Sequence, residues 1–141
     1  VLNPAPAAVL EEGILESCDY FIPNQSEAEF YTGIYPKEEA SAKQCAEALA
    51  AKGVKNVVVT MGAEGSAYVG GGKYVRVDSF KAEAVDTTAA GDTYVGALVT
   101  RLSEGADIEE AMTFASKASA ITVTRRGAQQ SIPLRREVEQ N

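Results

Sequence analysis

The sequence predicts an α/β fold with a mostly parallel sheet, on three observations. Val57-Val58-Val59-Thr60 is an uninterrupted β-branched run, the mark of a central parallel strand covered on both faces. An earlier apolar segment, Tyr20-Phe21-Ile22 closed by Pro23, is separated from that run by an amphipathic helical stretch, and this strand, helix, strand order implies a right-handed βαβ unit. Finally, Val85 to Ala97 runs from the end of an apolar segment through small residues and Thr hydroxyls into a helix with apolar positions Val95, Leu98, Val99 and Leu102.

Taken in order, the chain opens on Val1-Leu2-Asn3-Pro4, which reads as the last residues of a strand entering a loop marked by Pro4 and Pro6, so further polypeptide is expected before it. Val9, Leu10, Ile14 and Leu15 predict a short helix ahead of the Tyr20–Ile22 strand. Asn24-Gln25-Ser26-Glu27 follows: Ser26 suits a cap for the helix carrying Glu27, Ala28 and Phe30, and capping chemistry accounts for these residues as well as a functional role does. Lys37 to Lys52 reads as an amphipathic helix with Ala42, Cys45, Ala46 and Leu49 on one face, stopped by Gly53.

The Val57 strand ends in Thr60-Met61-Gly62-Ala63-Glu64-Gly65, after which Ser66 to Val69 and Lys73 to Val77 form a hairpin around Gly70-Gly71-Gly72. Glycines at the carboxyl end of a parallel strand leave room for a nucleotide, although on spacing alone a plain glycine turn is the stronger reading. The triple glycine is no Walker A loop, since no Lys-Ser or Lys-Thr follows it. Ile108, Ala111, Met112, Ala115 and Thr122 set out a last helical face rich in Ala and Ser, and Thr122 to Ser131 reads as a helix end followed by a surface loop.

Composition narrows the function. The 141 residues carry a net charge of −7, and no basic run exceeds Arg125-Arg126 or Arg135-Arg136, which speaks against a nucleic-acid surface. A negative protein still binds nucleotides where local N–H groups and magnesium decide the contact. Cys18 and Cys45 match no metal or redox spacing and read as reduced packing residues. No apolar run reaches the roughly 18 residues that span a membrane and no signal peptide is evident, so a cytoplasmic location is expected.

The chemistry concentrates at Asp86-Thr87-Thr88-Ala89-Ala90-Gly91-Asp92. A loop here delivers a helix N-terminus, where unpaired N–H groups and the positive end of the dipole gather, and Ala89, Ala90 and Gly91 carry no bulk to keep a phosphate away. Asp92 places a carboxylate in the same turn. It suits a general base that takes a proton from a substrate hydroxyl while neighbouring amides hold the phosphoryl group under attack. A lone Asp at this place would read as an ordinary acidic cap; the whole string is more specific.

That string resembles the second signature of the ribokinase-like, or PfkB-type, sugar and nucleoside kinases, DTxGAGD, and departs from it only by Ala89. The similarity extends from Asn3-Pro4-Ala5-Pro6-Ala7 through Asn24-Gln25-Ser26-Glu27-Ala28-Glu29 to Arg125-Arg126-Gly127-Ala128-Gln129. The resemblance implies a doubly wound α/β domain with helices on both faces, of which residues 1–141 are the C-terminal, ATP-binding part with a small hairpin; the sugar-binding part and the lid are absent. It implies Asp92 as catalytic base, also touching the sugar, and Ala89, Ala90 and Gly91 as anion hole. Asn24, Thr60, Met61, Gly62, Ala63, Glu64, Gly65, Gly91, Asp92 and Ser116 would contact the nucleotide. Glu27 would organise Mg2+ through water, and Asp86, Thr88, Thr122, Arg125, Gly127 and Ser131 would hold K+, mostly through backbone oxygens. The acceptor it implies is a small sugar, ribose before fructose, 2-keto-3-deoxygluconate or a nucleoside. The alternative is a nucleotide-binding fragment or regulator without catalysis. The full-length protein is expected to be a homodimer, and this chain alone inactive.

Overall fold

The computed structural model describes residues 1–141 and divides into two compact units, Val1–Arg76 and Val77–Asn141. In the first, β1 (Tyr20–Phe21) lies parallel to β2 (Asn56–Thr60), with Phe21 opposite Val57. β3 (Ser66–Gly70) runs antiparallel to β2, with Val58 opposite Tyr68, and Gly71-Gly72 turn the chain into β4 (Lys73–Val77), giving the order β1-β2-β3-β4. Leu2 adds a parallel bridge to Phe21 on the other side of β1. The sheet is thus mixed: β2 is parallel to β1, as the βαβ order predicts, and antiparallel to β3 on its other side.

α2 (Gln25–Thr32) packs on β2, and α3 (Glu39–Ala51) packs across β2 and β3. The predicted face of α3, Ala42, Cys45, Ala46 and Leu49, is fully buried against Phe21, Val57, Val59, Ala67 and Met61. Alanines let the helix axis come close to the sheet, so Leu49 fills its site tightly; truncating such a leucine to Ala costs about 2–5 kcal/mol. Val58, on the opposite face of β2, is equally buried, so both faces of this strand are covered. Both cysteines are free and buried.

Three boundaries differ from expectation. The first helix, α1, is only Ile14–Ser17, because Gly13 precedes it at φ 86, a left-handed conformation no helix can run through, and Val9 is left exposed. α2 is capped by Asn24 and not by Ser26: Asn24 is extended, and the helix has already begun at Gln25. α3 starts at Glu39 because the Ser41 hydroxyl accepts the amides of Lys37 (3.0 Å) and Glu38 (3.1 Å), holding both outside the helix.

The second unit is an antiparallel helix pair. α4 (Ala90–Ser103) closes with the Gly105 amide donating to Leu102 O (3.1 Å) and the Ala106 amide to Arg101 O (3.1 Å). Asp107 then caps α5 (Ile108–Val123), accepting the Glu110 amide at 2.8 Å. Leu98, Ala111, Met112, Ala115, Ala118 and Thr122 are buried. The inner face of α4 is Thr93, Tyr94 and Leu98, and the expected Val95, Val99 and Leu102 are only half-buried. Thr93 can occupy the inside because its hydroxyl finds a partner there.

A further short helix, α6 (Arg135–Glu139), was not anticipated; it packs on α5, and Val138 is buried. No helix is long and apolar enough to cross a membrane.

Candidate functional site

In the second unit the site grows from the start of α4. Ala89 occupies the N-cap position and supplies no side-chain cap, so no side chain meets the donors of the first turn. The Ala90 amide donates to Thr87 O (3.2 Å), and the Thr93 amide to Ala89 O (2.9 Å). The amides of Gly91 and Asp92, between them, have no acceptor within the chain. The Asp92 side chain is exposed and likewise unpartnered. A Cβ built on Gly91 meets nothing within 4 Å, so the packing of the chain itself does not ask for glycine there. What remains is a pair of free donors beside a free carboxylate, chemically suited to holding an anion at the amides and accepting a proton at the carboxylate.

Asp86 organises the loop before this turn. Its Oδ1 accepts the Thr88 amide (2.9 Å) and the Thr88 hydroxyl, while Oδ2 accepts the Gly127 amide at 3.0 Å. The Thr88 hydroxyl, the Gly127 amide and the Thr88 amide together hold the carboxyl down at about 2, so it stays ionised throughout the neutral range. The amides of Val85 (2.7 Å) and Asp86 (3.1 Å) both donate to Val123 O, fastening the loop to the end of α5. Gly127 stands at φ 97, a left-handed conformation that favours glycine over any residue with a Cβ.

Asp86, Thr88 and Gly127, predicted as one cation site, are therefore joined directly. Thr122 is fully buried close by in sequence to the α5 terminus, with its carbonyl accepting the Arg125 amide at 3.1 Å. The Arg125 guanidinium is taken by Glu137 (2.7 Å), which leaves that residue its backbone for any ligand role. Ser131 is buried, and its hydroxyl donates to Ala128 O (2.5 Å). Ser116 is buried on α5.

In the first unit, Asn24 and Thr60–Gly65 lie together at the carboxyl ends of β1 and β2, the edge where open α/β sheets receive ligands. Thr60 donates its amide to Pro23 O (2.9 Å), and Asn24 bridges Thr60 in parallel. A 3-10 turn, Gly62–Glu64, is closed by the Met61 amide donating to Gly65 O at 2.8 Å. The Met61 side chain belongs to the core, so only its backbone is available at this edge.

Asn24 and Glu27 form a reciprocal capping box: the Glu27 amide donates to Asn24 Oδ1 (2.9 Å), and the Asn24 amide to Glu27 Oε1 (3.0 Å). Burial pushes the Glu27 carboxyl up, only partly opposed by the Asn24 amide. Its second oxygen has no protein donor.

Sequence reasoning missed the groups that hold these pieces. The Ser119 hydroxyl donates to Ala90 O (3.1 Å), and the Thr122 hydroxyl is hydrogen-bonded to that of Thr93 (3.1 Å). The signal was a hydroxyl every three residues on α5, at Ser116, Ser119 and Thr122. In the first unit, Arg76 donates to Glu64 O (3.0 Å) from β4, a contact no local pattern announces.

The model of the pfkB family of carbohydrate kinases matches residues 1–135. A ribokinase of Staphylococcus aureus (strain COL) is 43% identical over 141 residues, covering 99% of this chain and 46% of its own length. A Haemophilus influenzae ribokinase is 44% identical over 137 residues, covering 97% and 45%. Among solved structures, ribokinase from Thermotoga maritima superimposes with a TM-score of 0.87 at 43% identity, over 98% of this chain and 46% of that one. Arabidopsis thaliana ribokinase complexed with ribose and ATP gives 0.85 at 34% identity, over 90% and 41%. The chain spans about half the length of the relatives it matches.

Proposed function

Because the chain belongs to the pfkB family of carbohydrate kinases, we propose that it is the nucleotide-binding, base-carrying part of an ATP-dependent kinase acting on a sugar hydroxymethyl group, with D-ribose as acceptor. The observation that carries this reading is the first turn of α4, where the unpaired amides of Gly91 and Asp92 adjoin an unpartnered carboxylate. Asp92 accepts the hydroxyl proton as the sugar oxygen bonds to the γ-phosphorus and the bond from phosphorus to the β–γ bridging oxygen breaks. In a loose transition state the proton leaves late, so a weak base suffices. The Gly91 amide, with small neighbours at Ala89 and Ala90, stabilises the charge on the transferring group.

Glu27 fits a water-mediated Mg2+ contact: one oxygen is fixed by the Asn24 amide, and the other is left without a protein donor. Magnesium, which favours one or two carboxylates with retained waters and phosphate oxygens, would neutralise the phosphates. Asn24, Ser116 and the Thr60–Gly65 backbone bind and orient the nucleotide. Asp86, ionised and fixed by Thr88 and Gly127, suits a K+ site completed by backbone oxygens of Thr88, Thr122, Arg125, Gly127 and Ser131. The full-length protein is a homodimer in this reading, and residues 1–141 alone do not turn over, because acceptor placement and water exclusion belong to the remainder.

The test is ribose phosphorylation by the full-length protein. Asp92→Asn is expected to lower kcat by about 10²–10⁴-fold, the usual contribution of a general base; activity within a few-fold of the parent overturns the assignment. Phosphorylation of ribose by the 141-residue chain, lost in Asp92→Asn, would overturn its incompleteness.

A further inference from the structure

The start of α4 lacks a side-chain cap, yet Gly91 and Asp92 can serve only if the turn bearing them keeps a fixed rotation. Two contacts from α5 supply that fixation. The Ser119 hydroxyl donates to Ala90 O at 3.1 Å, and the Thr122 hydroxyl, which also reaches Ala118 O at 3.1 Å, is hydrogen-bonded to the Thr93 hydroxyl at 3.1 Å. Ala90 and Thr93 are three residues apart and so share the helix face turned to α5, while Gly91 and Asp92 fall between them in sequence and are exposed. The anchors bracket the reactive pair. The Thr pair is buried on both sides, so neither hydroxyl can exchange its partner for bulk water.

We infer that Ser119, Thr122 and Thr93 are positioning residues for phosphoryl transfer: through Ala90 and the Thr93 hydroxyl they set the rotation of the first turn of α4, and with it the direction in which the Gly91 amide and the Asp92 carboxylate face. The inference rests on the reading of Gly91 and Asp92 given above. It separates from the cation assignment of Thr122, which would use the carbonyl, because a side-chain substitution leaves the carbonyl in place.

The experiment is steady-state kinetics of sugar phosphorylation by the full-length protein carrying Ser119→Ala with Thr122→Val, which keeps the volume of Thr122 and deletes its hydroxyl. Two hydrogen bonds of ordinary strength predict a fall in kcat of about tenfold. The effect is expected to fall on kcat more than on KM, since the turn is read as acting on the transferring group while Asn24 and Thr60–Gly65, which bind the nucleotide in that reading, are untouched. Thr122→Ser in the native background restores the hydroxyl and is expected to keep kcat within twofold of the parent. A purely structural role would lower thermal stability and leave kcat per folded molecule unchanged; that result, or Thr122→Ser as defective as the double variant, overturns the inference. If the double variant does not fold, Ser119→Ala alone carries the test with an expected threefold loss of kcat, and no loss overturns it. Asp92→Asn assayed alongside separates the two readings: retained activity overturns the assignment of the base and this inference with it, whereas lost activity beside an unaffected double variant overturns only the inference.

Discussion

Gly91→Ala pulls stability and activity in opposite directions, which makes it a stringent check on the reading of α4. Gly91 lies at the second helical position with ordinary helical geometry, and a methyl group there meets no atom of the chain within 4 Å. Replacing a helical glycine by Ala removes unfolded-chain entropy and gains about 0.5–1 kcal/mol. For a protein of this size or twice it, that gain raises Tm by about 1–4 °C. If the space beside Gly91 is where the transferring phosphoryl group sits, the same methyl displaces it by about an ångström, and a misplacement of that order costs on the order of 10²-fold in rate. Thermal unfolding and kcat/KM for ribose and ATP, measured on the same full-length preparation, give both numbers. A variant more stable and crippled fits the site as described. One that is more stable with kcat/KM within twofold refutes the idea that glycine is kept for phosphate approach, and one that is less stable refutes the account of its packing.

Glu27→Gln keeps an acceptor for the Asn24 amide and removes the charge, so stability is expected to hold while the Mg2+ concentration for half-maximal activity rises several-fold. Glu27→Ala also breaks the capping box and should cost about 1 kcal/mol in denaturant unfolding, and equal Mg2+ dependence in parent and Glu27→Gln would exclude the metal role. Asp86, held at about 2 against an ordinary 3.8, stabilises the native state above its unfolded value, and that contribution is lost as pH falls from about 4 to 2. Asp86→Asn is therefore expected to lose stability at neutral pH and to show a flatter acid limb in a pH series of unfolding midpoints; an unchanged acid limb would show that the clasp on Thr88 and Gly127 contributes nothing to the fold.

Periodicity made the first unit legible where burial follows hydrophobicity. Val57–Val59 and the Ala42, Cys45, Ala46, Leu49 face are buried as their spacing requires. It failed where burial is decided by partners. Thr93 faces inward on α4 because Thr122 satisfies it, so a wheel drawn on apolar residues alone turns that helix toward Val95 and Val99. α6 escaped notice because its sequence, Arg135 to Glu139, carries a single apolar residue, Val138; it is held by Glu137 accepting the Leu134 amide and by the Arg125 ion pair, which join residues distant in the pattern. The reverse error lies at α1, where four apolar residues suggested a longer helix than Gly13 permits.

The candidate site could be proposed from the sequence for a different reason: its residues are contiguous, and small size, hydroxyls and two carboxylates, Asp86 and Asp92, in seven positions leave few physical uses. What the string could not disclose is how the turn is kept rigid while its donors stay free. α2 and α5 begin on Asn24 and Asp107, whose side chains consume the amides that a ligand would need. A similar cap on α4 would stabilise the helix by about 1 kcal/mol and compete with any anion for the same N–H groups. The chain instead begins α4 on Ala89 and holds its first turn from the side, through carbonyl and hydroxyl contacts with Ser119 and Thr122. Those contacts use acceptors and side chains only. In the proposed reading, order at this terminus is thus obtained without spending the amides of Gly91 and Asp92, and a helix start that looks poorly made by capping rules leaves those donors available to an anion.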